Sequence, residues 1–149
     1  MDHYDTSKTQ EIWQRVYANR APTQPQYDTD ALIVSAFSAQ ALYRKLARQA
    51  TPRDAAAFKE LAATKQTQAA CLNGMRLLSV GQTLAAPPLS CEGGSVSTIL
   101  ARCCVTEGRA LREYELHTAD HDHGAVWGIL ADEQRKICRT LLELLGRMG

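Results

Sequence analysis

The sequence predicts an all-α protein: a four-helix bundle made of two antiparallel helix hairpins joined by one long crossover. Three observations point there. Four segments space their apolar residues alternately three and four apart, the period of a helix with one buried face. Two of the connections are short enough only to reverse the chain. The third is long and carries Pro87-Pro88 and Gly93-Gly94, which no helix accommodates throughout.

The first helix, Asp30–Gln49, turns Leu32, Ala36, Ala39, Tyr43 and Leu46 inward. The second, Pro52–Leu78, presents Phe58, Leu61, Lys65, Gln68, Leu72 and Met75. Its start is marked by a Thr51 hydroxyl as cap, Pro52 at the first helical position and Asp54 at the third. Ala50 and Thr51 leave almost no loop, so these two helices form a hairpin. The third helix, Ser95–Thr118, presents Val96, Leu100, Cys103, Glu107, Ala110 and Tyr114. The fourth, Gly124–Leu145, presents Val126, Leu130, Glu133, Ile137, Leu141 and Leu144. A short polar stretch around Ala119–His123 closes the second hairpin. Between the hairpins, Val80–Gly94 can span roughly 50 Å when extended. The second helix is about 40 Å long, so the connection can cross the bundle and start the third helix parallel to the second. Residues 1–26 form a separate N-terminal segment, in which Ser7–Asn19 reads as a short amphipathic helix with Ile12, Trp13, Val16 and Tyr17 on one side. Residues 27–149 form the bundle.

Lys65, Gln68, Glu107 and Glu133 interrupt otherwise apolar stripes and are flanked on both sides by core positions. They are expected to point inward, where a charge persists only if paired. The two hairpins also look like copies of one another. Ala36-x-x-Ala39-x-x-x-Tyr43 matches Glu107-x-x-Ala110-x-x-x-Tyr114 at an offset of 71 residues, and Ala63-x-Lys65-x-x-Gln68 matches Ala131-x-Glu133-x-x-Lys136 at an offset of 68.

On these residues the chain resembles the rubrerythrin branch of the ferritin-like superfamily, over roughly residues 30–145. The resemblance implies a ferritin-like bundle that pairs side by side as a homodimer. It also implies a di-iron centre, with one Glu on each first helix and a Glu-x-x-His pair on each second helix. Here those six positions carry Ala36, Lys65, Gln68, Glu107, Glu133 and Lys136. Only Glu107 and Glu133 remain as residual metal ligands, both histidines are gone, and a protonated lysine offers no lone pair. An intact di-iron centre is therefore not expected, and no cofactor is. The expected replacement is a central polar network in which Lys65 bridges Glu107 and Glu133, and Gln68 fills the remaining hydrogen bonds. Lys136 joins it or reaches outward along its stem. Tyr43 and Tyr114 would stand behind it as hydrogen-bond donors.

Five cysteines (Cys71, Cys91, Cys103, Cys104 and Cys138), with no secretory leader at the N-terminus, predict a reduced, cytoplasmic chain. Cys103 and Cys71 lie within a turn of Glu107 and Gln68 and are candidate soft donors, although buried cysteine is usually a small hydrophobe. No Cys-x-x-Cys pair exists, so the rubredoxin-type iron module common among rubrerythrins is absent. His117, His121 and His123, interleaved with Asp120 and Asp122, read as a solvated turn with adventitious metal affinity. They lie about 15 Å along the axis from Glu107. A formal net charge of +1 with dispersed basic residues leaves no footprint for nucleic acid, and no apolar run is long enough for a membrane.

The function expected is that of a degenerate rubrerythrin-like protein without a di-iron centre, acting through structure or through a protein partner. The alternative is a peroxide-handling oxidoreductase with a remodelled metal centre at Glu107 and Glu133. A third reading is a small-molecule pocket at the bundle centre, where Ala36 and Ala39 replace bulk.

Overall fold

The computed structural model describes residues 29–88, 93–120 and 122–148. Among these are four helices and no strand: α1 (Thr29–Gln49), α2 (Pro52–Val80), α3 (Val96–His117) and α4 (Gly124–Met148). The expected Ser7–Asn19 helix, Cys91 and His121 lie outside the described residues.

Several helix boundaries have a local chemical cause. Thr51 is extended (φ −61°, ψ 157°), and its hydroxyl accepts from the Asp54 amide at 3.4 Å, with Pro52 opening α2. Gly81 ends α2 at φ 81°, and its N–H donates to the Leu77 carbonyl at 2.9 Å. This left-handed cap suits a residue without a Cβ. Ser95 caps α3 by accepting from the Thr98 amide at 3.2 Å. Between α3 and α4 the chain turns so tightly that a Cβ on Gly124 would stand 2.7 Å from the Thr118 carbonyl oxygen. Only glycine fits there without moving the turn.

α1 packs on α2 and α3 on α4; the two hairpins then meet through α1 against α3 and α2 against α4, leaving α1/α4 and α2/α3 on the diagonals. Two apolar clusters fill the bundle. The first gathers Tyr43 and Leu46 of α1, Phe58 and Leu61 of α2, Ile99 and Leu100 of α3, and Ile137, Leu141 and Leu144 of α4. The second gathers Leu32 and Ile33, then Leu72, then Ala110 and Tyr114, and finally Trp127 and Leu130. Burying each large side chain contributes about 1.5–3 kcal/mol, so the clusters supply most of the drive to fold. The polar residues of the interior sit between them.

The stretch just after α2 is held by two α2 side chains. Asn73 forms two hydrogen bonds to the Leu84 backbone, accepting at 2.8 Å and donating at 3.0 Å. Arg76 pairs with Asp30 at 2.8 Å and donates to the Gln82 carbonyl at 2.7 Å. Leu84 packs on the second cluster, and Pro88 reaches the groove between α1 and α3. Among the described residues no helix is long and apolar enough to cross a membrane.

The inward seams of α1, α2 and α3 follow the sequence expectation, with Ala39, Met75 and Val96 half-buried at their edges. The seam of α4 differs. It runs Trp127, Leu130, Ala131, Gln134, Ile137, Leu141, Leu144, whereas Val126 and Glu133 are only half-buried and Lys136 is exposed. A rotation of about one residue buries the large indole of Trp127 and replaces a carboxylate in the core with a neutral amide. Both changes lower the desolvation cost.

Candidate functional site

At mid-height of the bundle, between the two clusters, five polar side chains from all four helices converge. Tyr43 comes from α1, Lys65 and Gln68 from α2, Glu107 from α3 and Gln134 from α4; all five are buried. Lys65 and Glu107 are each 1% exposed, and Lys65 Nζ stands 2.7 Å from Glu107 Oε1. The same ammonium donates to Gln68 Oε1 at 2.8 Å and Gln134 Oε1 at 3.2 Å, so its three protons face three oxygens. Glu107 Oε2 accepts from the Tyr43 hydroxyl at 2.8 Å. Gln134 Nε2 donates to the Glu107 carbonyl at 2.9 Å and to Glu107 Oε1 at 3.1 Å. Gln68 Nε2 donates to Gln134 Oε1 at 3.2 Å. Among the described residues no buried side-chain nitrogen or oxygen lacks a partner.

The network is therefore closed and neutral: one ammonium, one carboxylate, and uncharged groups that complete both. Such closure is needed because a half-satisfied buried network costs more than an apolar core. Burial, then the adjacent Glu107 carboxylate, pushes the Tyr43 phenol well above its ordinary range and keeps it a hydrogen-bond donor.

Two members of the expected network stand elsewhere. Glu133 and Lys136 line an outer groove of about 410 Å³ between α2 and α4, with Glu60, Thr64 and Thr67. Gln134 takes the inward position that Glu133 was expected to hold. The sequence carried a signal for it: the second helices of the two hairpins superimpose at an offset of 69 rather than 68. That register pairs Phe58 with Trp127, Leu61 with Leu130, Ala62 with Ala131, Lys65 with Gln134 and Leu72 with Leu141. Tyr114, expected beside the network, packs in the second cluster with its ring centroid 5.8 Å from that of Trp127.

The expected centre cavity is displaced as well. Ala36 is in the core, and the space opens on the other side of Ala39, as a cavity of about 400 Å³ between α1 and α3. Its inner end is formed by Tyr43, Cys103 and Glu107.

The donor set does not suit a di-iron or di-manganese centre. Hard divalent cations need several anionic or neutral oxygen and imidazole donors. Here the single carboxylate in the centre is engaged at both oxygens, and the neighbouring cation is an ammonium fixed to α2. Among the described residues no group of three or more His, Cys, Asp or Glu side chains is arranged to hold a metal ion.

The described cysteines form no disulfide with one another. Burial, and then the Glu133 carboxylate, pushes the Cys71 thiol up; Cys104 and Cys138 are also pushed up, chiefly by burial. Thiols held in this way are poor nucleophiles and poor soft ligands at neutral pH. At the far end, His117 stacks on Trp127 with centroids 4.4 Å apart, and its Nδ1 lies 3.0 Å from Asp120 Oδ2. This places His117 in the packing of the α3–α4 turn. His123 stands half-buried in that turn.

Compared with models of known families, with curated proteins and with solved structures, the chain matches none.

Proposed function

We propose that the chain is a ferritin-like bundle whose metal position is filled by its own lysine ammonium, and that it acts as a structural or partner-binding protein rather than as an oxidoreductase. The observation that carries this reading is Lys65 Nζ, surrounded by oxygens of Glu107, Gln68 and Gln134 at 2.7, 2.8 and 3.2 Å. An ammonium held by oxygens from three helices does what a bridging cation does for packing: it neutralises the carboxylate and ties the hairpins together. It supplies neither redox chemistry nor an open coordination position.

The ferritin-like topology is supported by the two clusters. The N-terminal halves of α2 and α3 share one cluster and their C-terminal halves share the other. The two helices then run parallel, as a long crossover between the hairpins requires. The homodimer or other protein partner rests on the resemblance to rubrerythrin-like bundles; apolar side chains are exposed on both hairpins, among them Leu78 on α2 and Leu116 on α3. Cysteines that form no disulfide with one another suit a reducing compartment such as the cytoplasm.

Metal content by mass spectrometry on untagged protein loaded with iron(II) and manganese(II), with sedimentation of the same sample, tests the reading. It predicts far less than one equivalent of metal per chain and a concentration-dependent dimer. One or more equivalents, lost in Glu107→Ala, would overturn it in favour of a rebuilt oxidoreductase centre. A monomer at all concentrations would remove the homodimer.

A further inference from the structure

The closed network does not use the cavity between α1 and α3. Its volume of about 400 Å³ lies within the roughly 300–1,000 Å³ of small-molecule sites. Tyr43 and Glu107 form the inner end, Ala39, Leu42 and Pro88 give an apolar wall, and Arg48 and Arg102 belong to its lining from opposite helices.

Charge decides what such a space can hold. Among the described lining residues Glu107 is the one carboxylate, and Lys65 at 2.7 Å compensates it. The field at the opening is therefore set by the cations. Among the described residues neither Arg48 nor Arg102 takes part in an ion pair. Two arginines that line one cavity from separate helices carry forked donors suited to a carboxylate or phosphate, and an anion bound between them would relieve their mutual repulsion. Along one side, Ala39, Leu42 and Pro88 give an apolar strip that suits a hydrocarbon body.

We propose that this cavity binds a small amphiphilic organic anion, with a carboxylate or phosphate head between Arg48 and Arg102 and a short aliphatic body along Ala39, Leu42 and Pro88. Because Pro88 belongs to the α2–α3 connection, the ligand fastens that connection to the bundle. The site does not depend on the absence of metal, so it stands or falls separately from the closed centre.

The test is a titration of the full chain with octyl phosphate, octanoate and uncharged 1-octanol, followed by amide NMR shifts and by calorimetry. The expected result is saturable binding of at least one anion, with shifts centred on Ser38, Leu42 and Thr106 and weaker or no binding of octanol. In Arg48→Gln/Arg102→Gln, whose substitutions are on exposed side chains, the anion should bind about tenfold more weakly or worse, with the fold retained by circular dichroism. Preference between the two anions identifies the head group and supports the site. Equal binding of octanol, an affinity unchanged by the double substitution, or shifts scattered away from the cavity would overturn it.

Discussion

Removing the cation from the buried pair, by Lys65→Met, has the largest consequence that the geometry allows to be worked out. At 2.7 Å and an effective dielectric of about 20, the Lys65–Glu107 attraction is about 6 kcal/mol. Taking each ion out of water costs several kcal/mol, so the pair is close to neutral as a net contribution. The cost appears when one partner is removed and the other stays buried and charged, on the order of 3–5 kcal/mol. Lys65→Met strands the Glu107 carboxylate with only its Tyr43 and Gln134 donors, and Glu107→Gln strands the ammonium. Each single variant should lose about 4 kcal/mol. The double variant Lys65→Met/Glu107→Gln holds no unpaired charge, so its loss should be smaller than that of either single variant and far short of their sum of about 8 kcal/mol. Urea unfolding followed by far-ultraviolet circular dichroism measures all four proteins. With a slope of about 2 kcal/mol per molar, each single variant shifts the midpoint by about 2 M. Additive losses, or a Lys65→Met cost under about 1 kcal/mol, would refute a desolvated, mutually dependent pair.

Tyr43→Phe removes the donor to Glu107 Oε2 and should cost about 1–3 kcal/mol at pH 7. Because the folded-state phenol is raised above its unfolded value of about 10, its contribution is complete below pH 10 and is lost as pH rises towards the folded value. The gap between wild type and variant should therefore narrow above pH 10; a gap constant to pH 11 would show that Tyr43 is not held protonated by burial and Glu107. Cys71, Cys104 and Cys138 should alkylate with iodoacetamide more slowly at pH 7.5 than a free thiol, in mass-spectrometric time courses, and a fast-reacting site among them would contradict their raised thiols. Gly124→Ala should destabilise by about 1–3 kcal/mol, since its Cβ would meet the Thr118 carbonyl oxygen at 2.7 Å. An unchanged melting temperature would show that the turn adapts freely.

The helices were legible because their apolar spacing is regular and because a Thr51 hydroxyl with Pro52 marks the start of the second; the left-handed cap at Gly81 was not read from the sequence, which ended that helix at Leu78. Three of the inward seams were legible too, polar interruptions included, because Lys65, Gln68 and Glu107 sit between large aliphatic or aromatic residues that admit one helix rotation. On α4 two rotations fit the apolar period almost equally, one through Val126 and Glu133, the other through Trp127 and Gln134. The choice between them follows from partners on other helices: a buried lysine already paired with Glu107 needs a neutral acceptor, and an amide supplies it along with a donor for the carboxylate. Matching the hairpins by their Lys65 and Glu133 motifs hid this, whereas matching their aromatic and leucine positions reveals it. The cavity between α1 and α3 had no signature, because its opening depends on how two helices distant in sequence rotate towards each other. Arg48 and Arg102 look like ordinary surface residues until that packing is known.

The claim that the centre of the bundle is occupied by a lysine ammonium is tested most directly by nitrogen-15 NMR of the lysine side chains. An Nζ with three oxygen partners and 1% exposure is sheltered from solvent exchange. The account predicts one slowly exchanging ammonium signal at neutral pH that disappears in Lys65→Met, shifts in Glu107→Gln, and is unmoved by added iron(II). A Lys65 signal that exchanges as fast as the surface lysines, or one displaced by metal with uptake of an equivalent ion, would contradict it.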